Sequence, residues 1–271
     1  MKTRRVDISG SRIINWLTYP AIVALTVVTL SVPRAHAQTD DAARILKAMA
    51  EFIASQTNIS ITFDADIEVI TPDLQKIQFT NSGTALLSRP DKLRASRTGG
   101  YSAVEIVYDG KTLSALSKDD NVFTQLQATG TVDQLIAKLR SDFSVTAPGA
   151  DLLLANVFDD LMDDVVDAKH IGVGVVDGVD CAHLAFRTPE VDWQIWVELG
   201  ARPVPHKYVI TSKTIAAAPQ YTLRIKEWRT DMQISTESFT FTPPQGGKEV
   251  SAENFPRVDE LPSGVVMGGL K

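Results

Sequence analysis

Cysteine is almost absent from this 271-residue chain: Cys181 stands alone, so no internal disulfide can form and stability has to come from a packed core. Flanked by Val179, His183 and Ala185 at the same strand parity, it reads as a buried structural thiol. Motifs that announce catalysis are missing as well. There is no Gly-x-Ser-x-Gly elbow, no phosphate-binding loop and no zinc-binding helix motif. His183 and His206 lack neighbours at metal-ligand or triad spacing and read as core or surface histidines. Internal repeats and low-complexity tracts are also lacking, while a 44% hydrophobic share argues against wholesale disorder. A non-catalytic protein without metal or cofactor is the expectation.

Positive charge is scarce and unevenly placed. Lys2, Arg4, Arg5 and Arg12 precede an apolar run from Ile13 to Val32, and Ala35-His36-Ala37 follows with small residues where a signal peptidase requires them. Cleavage there makes Gln38 the mature N-terminus. An uncleaved anchor competes, since the run approaches spanning length, but Pro20 and the small-residue tripeptide favour cleavage. No cysteine follows the run, which excludes a lipid-modified N-terminus. Removing residues 1–37 takes five cations and one anion and carries the formal charge from −6 to about −10. That balance opposes nucleic acid and anionic membrane surfaces. A soluble, monomeric, exported protein is expected.

Along the mature chain, Ala43, Leu46, Ala50 and Ile53 fall near helical spacing and predict an amphipathic helix over Asp40 to Gln56. Then the period changes to two: Ile59, Ile61, Phe63, Ala65, Ile67 and Val69 alternate with polar residues. A second strand runs from Ile77 to Ser88, with Gly83 as a candidate bulge, and Asp109-Gly110 supplies the positive φ angles of a two-residue hairpin. From Asn58 to Leu126 the pattern is an antiparallel meander. Thr131 caps a helix through Leu139, and Pro148 to Val166 suggests a helical pair, with Ser144 to Gly149 as linker. This insert is apolar enough to need a sheet face to pack on. Strands resume at Ile171, with a hairpin at Asp177-Gly178 and alternation at Val191, Trp193, Ile195 and Val197. Further strands are expected at His206–Ser212, Gln220–Trp228 and Glu237–Thr242, and the tail after Pro243-Pro244-Gln245-Gly246 is loose or docks as an arm.

The polar cluster Asp159, Asp160, Asp163, Asp164, Asp167 and His170 invites a cation, because Asp159, Asp163 and Asp167 recur every four residues. No glycine-punctuated calcium loop is present, so a solvated acidic face is the reading adopted.

Three motifs carry a resemblance over most of the mature chain: Arg89-Pro90 before a strand, Tyr108-Asp109-Gly110-Lys111-Thr112-Leu113 at a hairpin, and Phe239 to Gly246 near the end. In this order they resemble the periplasmic lipoprotein-carrier superfamily typified by LolA, LolB and RseB. The insert beginning Thr146-Ala147-Pro148-Gly149 and the segment from Trp196 to Lys207 are similar to its uncharacterised branch, domain of unknown function 2092. The resemblance implies a mainly β (α+β) fold: a strongly curved antiparallel sheet forming an incomplete β-barrel, with helices as a lid over the concave face. It also implies the domain plan, with a signal peptide at 1–37, a half-barrel at 38–246 holding the insert at about 131–167, and a C-terminal arm at 247–271. By the same resemblance, Arg89 matches an arginine that holds the lid closed; the alternative is a strand-end arginine on the rim. Ile61, Phe63, Ile67, Trp193 and Ile195 are candidates for lining a hydrophobic pocket, although core packing would place them on the same face. The implied function is a periplasmic carrier of an acylated or lipid-like ligand. A sensor module of RseB type, recognising a partner protein or mislocalised lipoprotein, is the alternative. The acidic charge and the character of the insert depart from the carriers.

Overall fold

Alternation sets the strands. In the computed structural model, which describes residues 34–143, 148–230, 232–256, 258 and 261–262, β1 (Asn58–Ile70) and β2 (Lys76–Ser88) pair in antiparallel register along their whole length. The leader up to Pro33 and residues 144–147 of the expected linker lie outside the described residues. β3 (Lys92–Gly99), β4 (Ala103–Tyr108), β5 (Thr112–Ser117) and β6 (Val122–Gln127) continue the meander, each beside its predecessor. At the β4–β5 turn Gly110 has φ 94°, and the Asp109 carboxylate accepts from the amides of Lys111 and Thr112 at 2.9 and 2.8 Å. A second meander comprises β7 (Asp167–Val176), β8 (Val179–Arg187), β9 (Val191–Glu198), β10 (Pro205–Ser212) and β11 (Gln220–Arg229). β11 closes onto β1 antiparallel, and β12 (Lys248–Glu249) pairs with β6 in parallel. The order is β12-β6-β5-β4-β3-β2-β1-β11-β10-β9-β8-β7; the two ends do not meet, which makes an incomplete barrel.

Since β6 and β7 lie near opposite ends of the sheet, the chain between them has to cross it. It does so as α2 (Val132–Phe143), a 3-10 turn at Ala150–Leu153 and α3 (Val157–Met162). Thr131 and Gln134 form a reciprocal capping box at the start of α2, with bonds of 3.2 and 3.0 Å. α1 (Arg34–Ala54) packs on β7, β8, β9 and α3. Its buried stripe is Ala42, Leu46, Met49, Ala50 and Ile53, so the core face starts at Ala42 where the sequence reading placed Ala43. Helix and strand side chains share one core on the concave side. Among the described residues no helix is long and apolar enough to cross a membrane.

Four expectations are corrected. Pro148 to Val166 is not a helical pair but a 3-10 turn and one short helix, because Leu152, Leu153 and Leu154 are all buried in succession, which one face of an α-helix cannot arrange. α3 stops at Met162, with Asp163 extended and Asp164 at φ 56°, so Asp159, Asp163 and Asp167 share no helix face. Glu237–Thr242 is not a strand. It is a 3-10 turn (Thr236–Phe239) and an extended segment whose Phe239 is buried and whose Phe241 ring lies 5.5 Å from that of Phe123 on the convex side of β6. Gly83 marks no bulge; it pairs in register with Phe63 and Arg97, and the irregularity lies on the other side of β1, between Thr62 and Phe63 against β11. Glycine is needed there because a Cβ would sit 2.4 Å from the Phe63 ring and 2.6 Å from the Ser96 carbonyl.

Candidate functional site

Arg89 and Pro90 follow β2, at the rim where the sheet meets α1, α2 and the 3-10 turn. The Arg89 guanidinium donates to the carbonyls of Gln56, just past α1, at 3.2 Å and of Leu154, after the 3-10 turn, at 3.1 Å. Its main-chain amide donates to Thr57 at 2.8 Å, and the Pro90 carbonyl accepts from Val132, the first residue of α2, at 2.9 Å. Burial lowers the Arg89 pKa from its ordinary value and the charge of nearby Asp133 opposes that shift, so the pair keeps a cation where one is needed. Asp133 in turn accepts from the Ala155 amide at 3.1 Å, and Arg140 of α2 pairs with Asp151 of the 3-10 turn. Asp160 of α3 has its pKa raised, by burial and then by the like charge of Asp151. α2 and the 3-10 turn are thus stitched to each other by polar contacts and to the sheet at the Arg89-Pro90 turn, while α1 meets the sheet both at that turn and near its other end, where Asp41 contacts His170 of β7.

Beneath them the sheet is apolar. Ile61 of β1 and Trp193 and Ile195 of β9 are buried in the common core, with Phe63 packed against it. Trp193 stacks on Phe186 at 4.0 Å and meets Tyr208 edge-on at 5.8 Å. Burial, then the charges of Asp151 and Tyr221, raise the Tyr208 pKa. Ile67 is not among these core residues. It is half-buried further along β1, opposite Phe79 of β2 and Tyr221 of β11. The six candidates therefore divide into four in the packed face, one at its far end and Arg89 at the rim. Helix residues Leu46, Met49, Ile53, Leu152 and Val157 fill the space over the face.

A cavity of ≈ 160 Å³ is lined by residues of β7, β8 and β9, Trp193 and Phe186 among them with Lys169, Arg187, Asp192 and Gln194, and by no helix residue. Cys181 is fully buried, its thiol pushed up to about 11 by burial and then by the charges of Glu198 and Asp180. His183 bonds to Gln194 at 2.9 Å and His206 to Glu198 at 2.8 Å. Among the described residues no group of three His, Cys, Asp or Glu could hold a metal ion. Sequence reasoning missed Arg97. β3 alternates Leu93, Ala95 and Arg97 on its concave parity, so a cation stands where a third hydrophobe is due, and that break in the pattern was a readable signal. Arg97 is near enough to Tyr221 for its charge to lower the Tyr221 pKa against burial, which raises it to about 12.

The family model described as "Predicted periplasmic protein (DUF2092)" matches residues 42–252. No curated protein matches the sequence. Among solved structures, the chain is similar to an uncharacterized conserved protein from Thermus thermophilus, at 12% identity and TM-score 0.45 over 78% of this chain and 99% of that one. It is also similar to lipoprotein LppX of Mycobacterium tuberculosis, at 12% identity and TM-score 0.45 over 72% of this chain and 99% of that one. A complex of MucA and MucB from Pseudomonas aeruginosa matches at 13% identity and TM-score 0.40, over 74% of this chain and 61% of that one.

Proposed function

Since this chain belongs to the family of predicted periplasmic proteins designated DUF2092, we propose that it is a non-catalytic periplasmic carrier or binding protein. Its concave sheet face receives a hydrophobic ligand, such as a lipoprotein acyl chain or a lipid, when the helices lift. The observation that supports this reading is the Arg89-Pro90 turn. It joins the sheet to α1, α2 and the 3-10 turn by single hydrogen bonds at one point of the rim. Lifting the lid breaks those bonds and the contact of Asp41 in α1 with His170 of β7, and its apolar side chains are then exchanged for those of a ligand. Such an exchange is nearly balanced, because the roughly 25 cal/mol per Å² gained from burying the ligand is offset by the lid packing it replaces and by ordering.

In this reading Arg89 is the latch, Ile61, Phe63, Trp193 and Ile195 are the wall, and Ile67 lies at the open end. Residues 1–37 are a leader removed on export, 38–246 the half-barrel, and 247–271 an arm; the protein acts as a soluble monomer. Native mass spectrometry and lipid extraction of the protein purified from its own periplasm test the proposal. A co-purifying acyl species, displaced by a fluorescent fatty acid, is the expected result; an empty protein that no acyl probe enters would sink it.

The edge strand β7 favours a second reading, a sensor module that recognises a partner protein. Val173 and Val175 are exposed there and, among the described residues, β7 has no neighbour beyond it in the sheet, an arrangement open to strand addition. Capture of one envelope protein, abolished by a charge at Val173, would favour that reading over the carrier.

A further inference from the structure

The two ends of α1 are fastened by different means. Its C-terminal end runs directly into the sheet: β1 opens at Asn58, which pairs with Ser88 and whose side chain donates to the Met232 carbonyl at 3.1 Å. In the short link between them, the Thr57 carbonyl accepts from the Arg89 amide at 2.8 Å and the Gln56 carbonyl from the Arg89 guanidinium at 3.2 Å. The last helical turn is closed by the Ser55 hydroxyl and the Gln56 side chain, which donate to the Phe52 carbonyl at 2.7 and 3.1 Å. The other end rests on β7 through the contact of Asp41 with Nδ1 of His170. The irregularity between His170 and Gly172 keeps His170 opposite Leu184 in the concave face, beneath the helix. Arg44 holds the Asp41 carboxyl below its ordinary value, and His170 adds to this against the effect of burial, so the clasp keeps its anion. Yet Nε2 of the same imidazole is buried with no hydrogen-bond partner. A buried polar atom left unpaired is costly, and opening at this end returns it to water. Burial is lopsided as well: from Asp41 onward, Ala42, Ile45 and Leu46 hold the first half of the helix, and the bulkier set Met49, Ala50, Phe52 and Ile53 holds the second.

We propose that the lid opens from the β7 side and in two stages. α1 releases first, at the Asp41–His170 clasp, and tilts about its tied end. α2 and the 3-10 turn, joined to each other through Asp133 with the Ala155 amide and Arg140 with Asp151, stay in place until the Arg89 bonds break. Leverage favours this order: at 1.5 Å per residue the helix from Ala54 back to Asp41 spans about 20 Å, so a tilt of about 15° lifts the clasp by about 5 Å. The gap forms over β7, β8 and β9, the strands on which α1 packs, and β9 carries Trp193 and Ile195 of the proposed wall. This inference rests on the concave face being the ligand site.

The test bridges one end of α1 at a time. Asp41→Cys with His170→Cys places a thiol pair across the clasp, and Gln56→Cys with Ala155→Cys places one across the tied end. Each pair is closed by a reducible bis-methanethiosulfonate linker, from which the fully buried Cys181 is shielded. Uptake of a fluorescent fatty acid is timed before bridging, after it and after reduction. The clasp bridge should slow uptake at least about tenfold, with recovery on reduction, and the tied-end bridge should change it by less than about twofold. In the otherwise unaltered chain, Asp41→Ala should speed hydrogen exchange at Ala42 to Leu46 about threefold and leave Met49 to Ile53 as they were. Uptake unaffected by the clasp bridge would overturn entry from the β7 side and leave the concave face as the ligand site. Equal slowing by both bridges would mean that the lid lifts in one piece, which overturns the two stages. If no form takes up the probe, the carrier reading falls, and the order of opening falls with it.

Discussion

Arg89 spends its guanidinium on two main-chain carbonyls, Gln56 and Leu154. Leucine there would leave both without their donor, and a bond from a charged donor contributes about 1.5–3 kcal/mol. Arg89→Leu is expected to lower unfolding stability by about 2 kcal/mol and to speed hydrogen exchange at Leu152 to Leu154 and in α3 more than in β3 to β5. Uniform exchange across both regions would reduce Arg89 to a rim residue. Gly83 makes the complementary case. A Cβ would meet the Phe63 ring at 2.4 Å and the Ser96 main chain at 2.6 Å, and the second of these cannot swing aside. Gly83→Ala should cost about 1–3 kcal/mol by overpacking, seen as a lower denaturation midpoint with unchanged slope. An alanine variant as stable as the parent would mean that the Phe63 ring has room to move, which matters because that ring is part of the proposed wall.

At the scale of elements, strands were legible and their surroundings were not. β1 follows from six alternating hydrophobes, and the Asp109-Gly110 and Asp177-Gly178 turns follow from backbone chemistry, since both glycines have positive φ. Phe239-Thr240-Phe241 alternates equally well, yet it is burial on the convex side and not strand pairing that sets its spacing. The same ambiguity covers the candidate wall: Ile61, Phe63, Trp193 and Ile195 share a parity whether the face is a cavity or a core, and only the packed helices over them say which side chains touch it now. The docking of the 3-10 turn at Thr236–Phe239 was illegible because it depends on residues far apart in sequence. Arg94 of β3 bonds both Glu105 of β4 and the Ser238 carbonyl, while Lys118 pairs with Glu105 from the end of β5. Burial raises the Glu105 pKa, but hydrogen bonds from Lys118 and Arg94 outweigh it and the net value is lowered. The contribution is therefore complete above the unfolded value near 4.5 and lost as pH falls through the lower folded value. Acid titration from about pH 6 to 3 should loosen segment 236–241, measured as hydrogen exchange at Phe239 to Phe241. Glu105→Gln should flatten that dependence; an unaltered profile in the variant would assign the acid sensitivity to another carboxylate.

For the molecule as a whole, the open sheet leaves two edges, and they are not alike. The β12 side ends in a two-residue strand followed by the arm, while the β7 side ends in ten residues with Ile171, Val173 and Val175 exposed. α1 reaches β7 near its start, where Asp41 contacts His170, but Val173 and Val175 beyond the Gly172 irregularity remain 67% and 66% exposed. Such an edge offers unpaired main-chain groups beside apolar side chains and is a template for strand addition. Opposing this is the net negative charge of the chain, −6, which keeps copies apart over about 10 Å at 0.1 M salt and less as salt rises. Association through β7 should therefore be weak at low ionic strength and grow with added salt, the reverse of a contact made by ion pairs. Val173→Lys places a charge on the edge at a side chain that packs on little, so it should leave unfolding stability within about 0.5 kcal/mol and suppress the salt-promoted association. Light scattering against salt and protein concentration reads this directly. Association that falls with salt, or that survives the lysine, would place the contact on another surface.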